Sequence, residues 1–113
     1  MQRIQRKRTA GFKLPENTKC VNRGTKWGNP YKIVPAGKQW ELIKNKSIET
    51  FGFYPTKEDA AIKAVELFRL WVDEEIKEDR LNLSELKGKN LACFCGLNDT
   101  CHADYLLKIA ANV

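Results

Sequence analysis

Hydrophobic positions change their spacing several times along this chain, and each change predicts an element. From 57 to 78 they fall at helical intervals. Ala61, Val65, Phe68 and Val72 recur every three or four residues, with Ala64, Leu67 and Trp71 beside them. Lys63, Glu66, Arg69 and Asp73 take the other side, which reads as a solvated face. Thr56 stands ahead of the run, where its hydroxyl can accept from a free N–H of the first turn. Glu58 and Asp59 follow, where the helix dipole favours negative charge. The pattern predicts a helix over 56–78. "LNLSELKG" then reads as a short helix stopped by Gly88, and "KNLACFC" as a compact apolar run of strand length. A loop from Gly96 to Thr100 leads into a last helix, with Thr100 as its cap and Tyr105, Leu106, Ile109 and Ala110 as its inner face.

The first half is less periodic. "TKCVN" (18–22) alternates weakly, as a short strand does. "RGTKWGNPYKI" (23–33) is a loop punctuated by Gly24, Gly28 and Asn29-Pro30 that runs into an extended piece, and "VPAGK" is a turn. "QWELIKNK" fits a short helix or a strand, and "SIETFGFY" an extended segment with Phe51 and Phe53 on one face. Helix, strand, loop, helix in the second half is α/β grammar. The expected fold is a single compact α/β domain, a small mostly parallel sheet flanked by helices in a Rossmann-like arrangement. Residues 1–10 form a basic N-terminal arm, loose or ordered through Ile4 and Phe12, and residues 11–113 the single domain.

Composition narrows the class. With 113 residues, 42% hydrophobic and 30% charged, the chain suits one folded, soluble domain. No apolar run approaches the roughly 18 residues of a membrane span, and the basic start has no apolar core behind it, so no secretory signal is expected. A reducing cytoplasm follows as the expected location, where cysteines act as thiols or metal ligands. The net charge of +6 is unevenly placed. Residues 1–48 hold 12 Lys/Arg against 2 Glu, whereas residues 49–113 hold 8 against 12 acidic residues. A basic face from the first half would suit a phosphate-bearing partner, although the lysines alone could serve solubility.

Chemistry concentrates in two places. "LACFCGLNDTCHADYLL" carries Cys93, Cys95, Cys101 and His102, three of four cysteines and the one histidine. Cys93 and Cys95 share a strand face, about 7 Å apart at Cα. Cys101 and His102 open the next helix, where free N–H groups favour anions and thiolates. Three readings stand. All four residues could ligate one zinc, although the spacing departs from the usual two-residue gaps. Cys95 or Cys101 could be a thiolate in a pocket, with His102 as acid, base or hydrogen-bond donor and Asp104 nearby. Cys93 and Cys95 could simply be small core residues, with His102 a satisfied helix-end polar group.

The second concentration is "RGTKWGNPY". Arg23 and Lys26 offer positive donors, Trp27 and Tyr31 flat surfaces for stacking, and Asn29 a paired donor and acceptor for a base edge. The alternative is a structural turn with Trp27 plugging the core. The nearby arm, with Arg6 and Arg8, favours contact with phosphate or nucleic acid.

The segments "RKRTAGFKLP", "VNRGTKWGNPY" and "LKGKNLACFCGLNDTCHADYLLKIA" resemble the family catalogued as domain of unknown function 4326, found in bacteriophages and bacteria. The resemblance runs from about Arg6 to Ala111, and Phe94 stands where many relatives carry tryptophan. The family name implies no activity. The resulting expectation is a phage-type cytoplasmic protein that binds or acts on a nucleotide or nucleic acid. Arg6, Arg8, Arg23, Lys26, Trp27 and Asn29 would bind, and Cys95, Cys101, His102 and Asp104 would do the chemistry. Zinc on Cys93, Cys95, Cys101 and His102 is the competing use of the cluster. The alternatives are a non-catalytic nucleic-acid-binding module with structural zinc, and a small phage inhibitor of a host protein. No P-loop or Rossmann glycine fingerprint is present.

Overall fold

The computed structural model describes residues 2–45, 49–97 and 99–112. Its strands are β1 (Arg3–Gln5), β2 (Thr18–Cys20), β3 (Tyr31–Ala36), β4 (Gln39–Lys44), β5 (Thr50–Tyr54) and β6 (Asn90–Cys93). Its α-helices are α1 (Lys57–Lys77) and α2 (His102–Ala110), and a 3-10 turn spans Leu83–Leu86.

The strands make two sheets. One is parallel, in the order β1-β6-β2, and the other antiparallel, in the order β3-β4-β5. In the parallel sheet Ile4 and Cys20 flank Ala92 from opposite edges. Leu91, Ala92 and Cys93 are all buried, which explains why this stretch reads as an unbroken apolar run. The basic arm thus contributes a strand to the sheet that carries the cysteines.

The Rossmann-like expectation is overturned. Three of the six strands form an antiparallel sheet of their own, and only two α-helices occur among the described residues. The physical reason is local. Ala36 pairs with Gln39 across a two-residue turn, with Gly37 at φ 63°. Such a hairpin turn needs glycine's access to positive φ and is far too short for the crossover that parallel strands require. The ambiguous "QWELIK" therefore becomes β4, because strands on both sides complete its backbone hydrogen bonds. The extended reading of Ser47 and Ile48, and Asn98 in the 96–100 loop, lie outside the described residues.

Helix α1 joins the two sheets. Thr56 caps it as its sequence predicts, accepting from the Asp59 N–H at 3.1 Å. Ala64 packs into a small core with Tyr31 and Leu42, while Phe68 and Val72 enter the larger core with Leu91 and Leu106. The cap of α2 differs from expectation. Cys101, not Thr100, holds the N-cap position, and no side chain caps the free N–H groups. No helix among the described residues is long and apolar enough to cross a membrane.

Candidate functional site

The cysteine cluster forms where β6 ends. The chain bends through Phe94, and the Cys95 N–H donates to Cys93 Sγ at 3.3 Å. Helix α2 then returns Cys101, whose Sγ lies 2.9 Å from that of Cys93. The sulfurs of Cys93, Cys95 and Cys101 all lie within 4.8 Å of one another, a group able to hold a metal ion. Cys93 and Cys101 are buried and Cys95 is half-buried. His102 is not part of this group, and Cys20 stands apart on β2. Hydrogen bonds from Cys101 and then Cys93 pull the Cys95 thiol down to about 3. Burial opposes that shift, and the Arg3 and Arg23 charges assist it. The same contacts with Cys101 and Cys95, with burial, push the Cys93 thiol far up. The two shifts run in opposite directions, and the lowered thiol is that of Cys95, the half-buried member.

His102 is buried beside Cys101. Its Nε2 lies 2.6 Å from the Val21 carbonyl oxygen, which can only accept, so Nε2 carries the proton. Nδ1 lies 3.8 Å from Cys101 Sγ. The ring packs edge-on against Phe68, with centroids 5.0 Å apart. This arrangement commits the Nε2 N–H to the protein backbone, so it is not offered to a ligand.

Arg3 holds the loop that separates Cys95 from Cys101. Its guanidinium donates to the carbonyls of Gly96, Leu97 and Asp99 and pairs with Asp104 at 3.3 Å. The Arg3 side chain is only 7% exposed, although the carbonyls of Leu97 and Asp99 and the Asp104 carboxylate lie at the surface. Sequence reasoning missed Arg3, because its partners lie 93 to 101 positions further on. Asp104 emerges as Arg3's partner at the start of α2, its side chain 59% exposed.

The 22–29 loop faces the cluster. Gly28 is required there, since a Cβ would stand 2.8 Å from both Arg23 Cα and the Asn22 carbonyl oxygen. The Arg23 guanidinium donates to the Asn29 carbonyl. Burial of that group lowers its pKa, while Cys95, Cys101 and Cys93 act in the opposite sense, which places it in the field of all three sulfurs. Three other residues of the loop are differently employed than their sequence suggests. Trp27 is fully buried in the larger core, so neither face is open to a base. Asn29 uses its amide on the Ala64 carbonyl and the Tyr31 N–H, at 3.2 and 2.9 Å. Lys26 pairs with Glu85 at 2.7 Å, which holds that carboxyl below its ordinary value. An aromatic indole in a tight glycine turn serves the core equally well, and only packing distinguishes the two uses.

The two concentrations meet. A cleft of about 280 Å³ is lined by Arg8 and Arg23 and by Cys93, Cys95, Cys101 and His102. Ala61 and Val65 of α1 supply its apolar wall. Arg6 and Arg8 both stack on Phe94, 4.8 and 4.2 Å from the ring centroid. Arg6 also donates to Asn22 Oδ1 at 3.0 Å, tying the arm to the loop. The cleft opens beyond the C-terminal end of β6, where ligands of parallel sheets commonly sit.

With this geometry in place, family comparison gives one result. The chain belongs to the family described as domain of unknown function (DUF4326), matching it over residues 4–112, nearly its whole length. No curated protein and no solved structure matches it.

Proposed function

We propose that this protein binds a nucleotide, or another small phosphate-bearing molecule, in the cleft and acts on it there. The observation that carries this reading is that Arg8 and Arg23 line the same cavity as the three thiols and His102. Two guanidiniums suit a phosphate group, because each presents a planar fork of donors. At about 280 Å³ the cavity is near the lower end of small-molecule sites. That size favours a single nucleotide over a length of nucleic acid, and the burial of Trp27 removes the stacking platform an extended strand would use. Four free thiols suit a reducing, cytoplasmic setting.

Calorimetric titration with AMP, ribose 5-phosphate and inorganic phosphate tests the proposal. Arg23→Met should weaken AMP by at least about tenfold, the scale of one lost charge-assisted contact. Lys26→Met should leave it unchanged. Absence of binding by all three probes, or an unaffected Arg23→Met, defeats the reading.

A second reading is favoured by the close approach of three sulfurs: a nucleic-acid-binding module stabilised by structural zinc. It predicts that chelation unfolds the protein and that DNA affinity falls steeply with salt.

A further inference from the structure

The geometry points to a zinc site of three sulfurs, Cys93, Cys95 and Cys101, whose fourth coordination position faces the cleft. This inference rests on the cleft being the ligand site and names the group that would act there.

The sulfur positions fit one ion. At a Zn–S distance of about 2.3 Å, tetrahedral ligands stand about 3.8 Å apart. The Cys93 and Cys101 sulfurs are 2.9 Å apart and no pair is more than 4.8 Å apart, close enough for one ion to reach all three. The supporting contacts are those of thiolate ligands. Cys93 Sγ accepts the Cys95 N–H, as ligand sulfurs do from nearby backbone. Three thiolates around a dication leave one net negative charge, and Arg23 lies in the field of all three sulfurs as its counter-charge.

The fourth position distinguishes this site from a closed structural one. Structural zinc takes four protein ligands, whereas catalytic zinc keeps three and leaves one position for water or substrate. Among the described residues only the three cysteines form the donor group, and His102 stands outside it. All three cysteines also line the cleft, where Arg8 and Arg23 would hold a phosphate-bearing ligand. The fold has its own support. Trp27, Phe68, Leu91 and Leu106 are fully buried in the core that Cys93 and Cys101 border.

The test is metal binding by the reduced, full-length protein, freed of metal by chelator and titrated with Co²⁺. One Co²⁺ per chain should bind, with a sulfur-to-cobalt charge-transfer band that Zn²⁺ abolishes by displacement. Cys95→Ser, the half-buried member and the safest for folding, should lose the band while keeping the wild-type circular dichroism. His102→Ala should retain one metal per chain, and added azide should shift the cobalt spectrum by entering the open position. No metal uptake by folded, reduced protein overturns the inference. So does loss of metal in folded His102→Ala together with no response to azide, which would mean a closed site. AMP titration of the chelated protein reads the cleft separately, so failure of the metal site and failure of the ligand proposal give different results.

Discussion

The two sheets of this protein are built by opposite means. In the antiparallel sheet, β3 and β4 are joined by two residues and pair over their full length. In the parallel sheet, β6 draws its neighbours from residues 3–5 and 18–20, more than 70 positions away. The first is a local structure that carries no cluster of reactive groups. The second collects the ends of distant segments at one point, and those ends bring Arg3, Val21, Cys93 and Cys101 together. Long-range pairing is what allows side chains from unrelated parts of the sequence to share a cleft.

The contrast can be tested by disturbing each sheet in turn. Trp27→Ala gives the largest expected effect. As a core residue Trp27 should cost about 4 kcal/mol on removal, measured by urea unfolding. A surface stacking residue would leave the unfolding midpoint in place. Arg3→Ala should cost about 2 kcal/mol, because a buried guanidinium and its charge-assisted bonds are lost. Hydrogen exchange should quicken across 96–100 and stay unchanged in β3 and β4. Equal quickening in both sheets would mean that Arg3 supports the whole fold and not the loop. Thr56→Ala removes the cap of the helix that joins the sheets and should cost about 1 kcal/mol, seen as a lowered melting temperature. Phe53→Ser on β5, where the side chain is 52% exposed, should stay within about 0.5 kcal/mol of wild type.

The smallest expected change is none at all. In reduced, metal-free protein the Cys95 thiol, held at about 3, is a thiolate throughout the working range. Its alkylation by iodoacetamide, followed by mass spectrometry, should therefore vary little between pH 5 and 8. The same residue in urea should react several hundredfold faster at the upper pH, as a thiol of pKa about 8.5 does. The sign for stability follows. A folded pKa below the unfolded one contributes stability that is fully present above the unfolded value. That stability is lost as pH falls toward 3. Cys93, raised, acts in the opposite sense, and its contribution disappears in alkali.

The sequence by itself determined helix α1, its Thr56 cap, the apolar strand β6 and the short turn stopped by Gly88, because each depends on near neighbours. It also marked Cys93, Cys95, Cys101 and His102 as a group, since they lie within ten positions. Tertiary structure alone decided the rest. A three-residue strand such as β1 has too few positions to show a period, so its place beside β6 was not legible. Whether Trp27 stacks on a ligand or fills the core depends on what surrounds it, and the core won. The partner of His102 Nε2 is a carbonyl 81 positions away, and the shape of the cysteine loop was set by Arg3. Local chemistry is written in local sequence. Which groups face one another is fixed only when distant backbone segments exchange hydrogen bonds.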